Sequence, residues 1–417
     1  MAREMKDSGI EWAGHIPQTW EIKRGKTILH LLERPVREDD GVITCFRDGE
    51  VTLRSKRREE GFTFSLQENG YQGIEPGDLV VHGMDGFAGA IGISDSRGKS
   101  TPVLSVMDST ENKRYIMYYL RCAAYCGLFM SLSTGIRVRS CDTNWNKLKN
   151  IIYIVPPIEE QNRISKFLDN EIARIDAVME QTRTSIEEYK KLKQAVITQA
   201  VTKGIRPNRP VKDSGVDWLE EIPNSWKMVR GKGLFYETND RSEEGNEELL
   251  TVSQYTGITP RSQKTVNMFE AETLEGYKIC EIGDIAANTM WLWAGAIGVS
   301  KYRGVISPSY NIYRQLGTAY ISQYLDYLLR VTPLVQHYES LSTGIRASRL
   351  RLYPEQFLSI RFPVPPIDEQ QEIVNYLNSK IIEIGRLIEN KEQFLHELEN
   401  YKKSLIYEYV TGKKEAQ

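Results

Sequence analysis

Cysteine is scarce and scattered, with five in 417 residues, at positions 45, 122, 126, 141 and 280. An odd, dispersed set excludes a disulfide scaffold. Cys122 and Cys126 fit one helix face, but no His or Cys lies near them in sequence to complete a zinc site, so free thiols are expected. The five histidines (15, 30, 82, 337 and 396) are isolated, without HExxH or HxH spacing, and read as structural or surface residues. No P-loop and no Gly-x-Ser-x-Gly elbow occurs. Apolar runs of eighteen residues are absent, and the opening "MAREMKDSGIEW" lacks the apolar stretch of a secretory signal, so a cytoplasmic protein is expected. A charge excess is missing too. The formal charge is −2, with 21 basic and 20 acidic residues in 1–157 and 16 and 18 in 211–366. Nucleic-acid binding therefore needs local basic patches or basic partners.

What the chain does have is repetition. With a shift of 206, "MKDSGIEWAGHIPQTWEIKRGK" (5–26) lies on "VKDSGVDWLEEIPNSWKMVRGK" (211–232), with half of the 22 positions identical. The same shift puts "EPGDLVVHGMDGFAGAIGISDSRG" (75–98) on "EIGDIAANTMWLWAGAIGVSKYRG" (281–304). A shift of 209 aligns "SLSTGIR" (131–137) with 340–346, and "VPPIEEQNRI" (155–164) with "VPPIDEQQEI" (364–373). Four blocks in one order make a tandem duplication.

Each copy opens with an α+β globule, 1–157 and 211–366. Short β-branched or aromatic runs such as "DLVVHGM", "AIGISDS" and "YNIYRQL" predict strands, and 114–130 and 321–338 predict helices. A Pro-Pro pair then opens a long helical segment, 158–204 and 367–417, with a Pro-containing linker at 205–210 between the copies. Heptads run through both helices. The first seam holds Leu168, Ile172, Ile175, Met179, Ile186, Tyr189 and Val196, and the second holds Leu377, Ile381, Ile384, Ile388, Leu395, Leu398 and Leu405. Polar breaks fall at matching places, Thr182 with Lys391 and Lys193 with Lys402. The expected architecture is two pseudo-twofold-related domains whose long helices pair as an antiparallel coiled coil. The alternative is two amphipathic helices, each packed on its own globule. A helix of about 35 residues spans roughly 50 Å, against roughly 34–36 Å per turn of B-DNA.

No catalytic site is read from the chain, so candidate function falls on loops. "STGIR" brings hydroxyls, a glycine and an arginine, suited to phosphates or base edges, at Ser133, Thr134 and Arg137 and at Ser342, Thr343 and Arg346. The other reading is a helix terminator. "FRDGEVTLRSKRRE" (46–59) concentrates Arg54, Lys56, Arg57 and Arg58, and its counterpart keeps Arg261 and Lys264; both are candidate DNA contacts, with a solvated face as the alternative. "GMDGFAGAIG" shares only its last two glycines with "TMWLWAGAIG", so these serve turns or close packing rather than a nucleotide. Trp291 and Trp293, in place of Asp85 and Phe87, are read as core residues, with a contact surface as the alternative. A shared frame around divergent inserts suits two readers of different targets. The doubled "DSGxxW…IPxxW" is read as the clasp at which the chain joins each globule.

Taken in order, the repeated "DSGxxW…IPxxW", the "PGD…GxxGxS" block and the double "PPIxEQ" opening a long helix resemble the DNA-specificity subunit of Type I restriction–modification systems. The resemblance covers essentially the whole chain. It implies two target-recognition domains, each reading half of a bipartite double-stranded DNA target, with a coil that sets the gap. It further implies a non-catalytic scaffold for two modification (methyltransferase) subunits and two restriction subunits. S-adenosylmethionine, ATP and Mg would sit on those partners, with no cofactor or metal in this chain. An enzyme acting alone and a coiled-coil adaptor without nucleic acid are the competing classes.

Overall fold

The computed structural model describes residues 3–57, 68–132, 143–264, 273–344 and 350–416. The chain divides into two compact units, 1–183 with 393–417, and 184–392. The division falls inside both long helices, Ile158–Lys203 and Ile367–Val410, so each unit is a globule plus one stretch of each helix.

In the first unit, Leu29–Leu31, Leu104–Ser109, Leu79–His82 and Ile91–Ile93 form a four-stranded antiparallel sheet in that spatial order. The helix Lys113–Tyr125 packs on it, and Tyr115, Tyr119, Leu120 and Cys122 are buried with Leu79, Val81 and Ile91. Asn112 starts that helix by accepting from the Arg114 and Tyr115 amides. The helix expected over 114–130 breaks at Gly127, whose φ of 85° suits a residue without a Cβ, and resumes at Leu128–Ser131. A hairpin, Ile43–Cys45 with Val51–Leu53, crosses the edge strand. There a Cβ on Gly92 would come within 2.0 Å of the Gly49 carbonyl, so this shared glycine is there for close approach.

The second unit repeats the plan with Phe235–Thr238, Asn311–Gln315, Ile285–Ala287 and Ile297–Val299 in the same order. Its hairpin is Leu250–Ser253 with Gly257–Pro260. The stretch 321–338 is two helices, Ser322–Leu329 and Thr332–Leu341, because Pro333 fits a first turn and not an interior. The described cysteines Cys45, Cys122, Cys126 and Cys280 are free thiols.

The helices run antiparallel within each unit, since rising numbers on one meet falling numbers on the other. In the first, Phe167 lies 4.4 Å from Tyr409 ring to ring, and Asp176 takes a 2.5 Å hydrogen bond from Lys402. Leu168, Ile172, Ile175 and Met179 share one core with Leu405, flanked by half-buried Leu395 and Leu398. In the second, the Lys391 ammonium sits 5.7 Å over the Tyr189 ring, and half-buried Val196 and Ile381 pack on a core containing Leu377. Ile186 and Ile384 are buried, and Ile388 is half-buried. Each globule adds its own contacts to its stretch of helix, so coil pairing and globule packing coexist.

Candidate nucleic-acid interface

Each globule is fixed to its helix by the residues the sequence repeats. Trp20 is fully buried, and its indole N–H donates to Glu160 Oε2 at 3.0 Å; Arg3 donates to the other carboxylate oxygen. In the second copy Trp226 donates to Glu369 Oε2 at 3.0 Å, and Arg209 takes the place of Arg3. A buried carboxylate is tolerated here because a cation and a second donor satisfy it. The next residue locks the adjoining helix. Gln161 accepts from the Asn112 amide at 2.9 Å, and Gln370 accepts from the Ile321 amide at 2.9 Å. The "IPxxW" and "PPIxEQ" phrases are therefore two halves of one latch. The "DSG" of each clasp is a tight turn, with Asp7 and Asp213 accepting from the Gly9 and Gly215 amides at 3.0 and 2.8 Å.

Beyond this frame the surfaces diverge. In both copies a 3-10 turn follows the hairpin and carries the predicted basic residues, Arg54–Lys56 in the first and Arg261–Gln263 in the second. Arg54 donates to Thr44 Oγ1 at 2.8 Å, Lys56 pairs with Asp95 at 3.2 Å, and Arg57 binds Asp48 while lying 4.1 Å over the Phe46 ring. These cations are held by the fold, and Lys56 and Arg57 remain partly exposed. Lys264 donates to Thr256 Oγ1 at 2.8 Å, and burial pushes its ammonium below the ordinary lysine value. Tyr255, at the hairpin tip, is 83% exposed.

Arg54 and Arg57 line a cleft of about 630 Å³ with Phe46, Arg47, His82 and Asp85. His82 Nδ1 accepts from the Met84 and Asp85 amides at 3.2 and 3.1 Å, and burial lowers its pKa, so the ring stays neutral. Asn288 stands in the same place in the second copy, its side-chain oxygen accepting from the Met290 amide at 3.1 Å. Arg47 reaches across from the hairpin to Asp85 at 2.8 Å. Arg47, Asp85 and Tyr255 were not among the sequence candidates. Their signal was the loss of similarity at 85/291 and between 27–69 and 233–275.

Of the "STGIR" candidates, Ser342 ends the helix Thr332–Leu341 and donates to the Tyr338 carbonyl at 2.7 Å. Thr343 exchanges backbone hydrogen bonds with Arg351. Arg58, Ser133, Thr134, Arg137 and Arg346 lie outside the described residues. The expectation that Trp291 and Trp293 belong to the core is corrected. Trp291 is 50% exposed and Trp293 half-buried, because the chain forms a 3-10 turn whose buried position is taken by Leu292. Among the described residues, no group of three or more His, Cys, Asp or Glu is placed to hold a metal, and no helix is long and apolar enough to cross a membrane.

No family model matches the chain. It is 23% identical over 436 residues to a Methanocaldococcus jannaschii protein assigned as the MjaX specificity subunit of a type I restriction enzyme, covering 96% of this chain and 95% of that one. The MjaVIII specificity subunit of the same organism is 25% identical over 281 residues, 64% of this chain and 62% of that protein. Among solved structures, a chain from a study of complex assembly and conformational transition in the type I R-M system superposes with a TM-score of 0.67 at 14% identity, covering 95% and 98% of the two chains. The HsdS subunit of Thermoanaerobacter tengcongensis gives 0.51 at 15% identity, covering 96% and 98%. In sequence over nearly its whole length, and in fold, the chain resembles the specificity subunits of type I restriction–modification systems.

Proposed function

We propose that this chain is the sequence-specific DNA-recognition subunit of a type I restriction–modification complex, each unit reading one half of a bipartite duplex target. One observation carries the reading: two copies keep the same sheet order and the same Arg–Glu–Trp latch while their hairpin and turn surfaces differ. A common buried frame that presents different hairpin and turn surfaces is what two readers of unlike half-sites need. The near-neutral charge fits a subunit whose partners share the phosphate contacts. In this reading the long helices set the gap between half-sites and offer outer faces to two methyltransferase subunits. Two restriction subunits complete the assembly, and S-adenosylmethionine, ATP and Mg belong to those partners.

The test is to express the chain with its modification partner and sequence the methylated genome. A bipartite motif that disappears when this chain is omitted is the expected result; methylation without sequence preference would sink the proposal. Inserting one or two helical turns after Ser185 should lengthen the gap and leave both half-sites unchanged. A fixed gap would show that the helices do not measure it.

A further inference from the structure

One backbone position carries opposite chemistry in the two copies. Asp85 opens the 3-10 turn Gly86–Ala88 with φ −109° and ψ 4°; Trp291 opens Leu292–Ala294 with φ −128° and ψ 12°. Each opener's carbonyl accepts twice, from the Ala88 and Ala90 amides at 2.9 and 3.3 Å and from the Ala294 and Ala296 amides at 3.0 and 3.0 Å. Each turn closes on a left-handed glycine, Gly89 at φ 96° and Gly295 at φ 85°. The local frame is thus the same, and only the side chain differs. Asp85 is partly exposed and bound to Arg47, itself 57% exposed. Trp291 is half exposed, stacked on Trp293 with ring centroids 5.7 Å apart, while the Trp293 N–H is spent on the Met290 carbonyl at 3.0 Å.

Resting on the DNA-recognition reading above, we infer that positions 85 and 291 determine the specificity of their units, and that they read different features of a base pair. The Arg47–Asp85 pair offers guanidinium donors and carboxylate acceptors. These match the O6 and N7 acceptors of guanine and the amino group of cytosine. Trp291 has no acceptor with which to meet an amino group. Its exposed aromatic face matches the 5-methyl group of thymine, which projects into the major groove. Core packing gives no competing account of Trp291, since Leu292 fills the buried position of the turn.

The experiment uses the chain in complex with its modification subunit. Trp291→Ala should relax one T·A position in one half-site and leave the other half-site intact. Asp85→Ala and Arg47→Ala should relax only the other half-site, weakening binding to the preferred sequence roughly fivefold or more. Replacing thymidine by deoxyuridine at the T·A position removes one methyl group and should weaken wild-type binding about fourfold. The same duplex should bind Trp291→Ala no worse than the thymidine duplex does. The inference is overturned if Trp291→Ala keeps the wild-type base preference at every position of that half-site, or if uracil throughout that half-site leaves wild-type affinity unchanged. The uracil measurement needs no variant, so it decides the matter even if a substitution impairs folding. Loss of all sequence preference in the wild-type complex would instead defeat the DNA-recognition reading itself.

Discussion

The two units differ least where the chain is buried and most where it is exposed. Both hold a buried glutamate between an arginine and a tryptophan, and both pin a glutamine to the start of a helix. At 85 and 291, by contrast, a charged pair in one answers to an aromatic stack in the other. Even inside the frame the solutions are not copied atom for atom. The buried aspartate of "PGD" or "IGD" meets Arg34 in the first unit and Arg314 in the second, and these arginines occupy different repeat positions. The duplication therefore preserves interactions where burial makes their loss expensive, and lets residues trade places when the interaction survives.

The latch offers the largest effect. Glu369→Ala would leave Arg209 and Trp226 without their acceptor, and removing one partner of a buried pair costs about 3–5 kcal/mol. Glu160→Ala should cost less, because Arg3 is 28% exposed where Arg209 is 14%, and water can solvate it. Urea titration followed by hydrogen exchange in each unit separates the two. Equal, sub-kilocalorie losses in both would break the claim that the latch is the shared structural joint.

Acid should act unevenly as well. In the first unit the Arg97 guanidinium holds the Asp40 carboxyl at about 2, below the ordinary aspartate value. A depressed folded pKa means that the stabilisation is complete above the unfolded value near 4 and is lost as pH falls through 2. It amounts to about 2 kcal/mol at neutral pH. Arg97 also pairs with Glu75 at 2.5 Å, and its counterpart Arg303 keeps that pair with Glu281, with 59% and 40% of the side chains exposed. Between pH 4 and 2 the first unit should thus lose this increment, and Asp40→Asn should flatten its acid response. An unchanged acid profile in the variant would remove Asp40 from the account.

Much of the fold was legible in the sequence, for reasons particular residues make plain. The long helices announced themselves because 158–203 contains no Gly or Pro and its apolar residues keep heptad spacing. The repeated phrases marked the frame, but not that they touch. Trp20 and Glu160 lie 140 positions apart, and only the folded chain shows the hydrogen bond. Trp291 and Trp293 read as core because aromatic residues in an apolar run usually are. The strand stops before them, and a turn brings Leu292 inward instead. Candidate loop residues were legible as basic, whereas their internal partners Asp48, Asp95 and Thr44 were not.

The swapped arginine gives the smallest and sharpest test. Under the 206-residue shift, Arg34 corresponds to Asp240 and Asp108 to Arg314. In the second unit Arg314 binds Asp284 through two 2.8 Å hydrogen bonds and lies 3.5 Å from Asp240. Asp284 and Asp78 are both buried, so each needs a cation, and the frame does not specify which segment supplies it, the stretch after Leu29–Leu31 or the strand Asn311–Gln315. Arg34→Asp should destabilise the first unit by placing a second carboxylate beside Asp78. Adding Asp108→Arg should then recover about 1 kcal/mol, the coupling typical of residues in one charge network. Recovery will be incomplete, since Lys113, which pairs with Asp108 at 3.0 Å, would face a cation. A double variant no more stable than Arg34→Asp alone would show that the two positions are not interchangeable donors, and that the trade became fixed only with other changes around it.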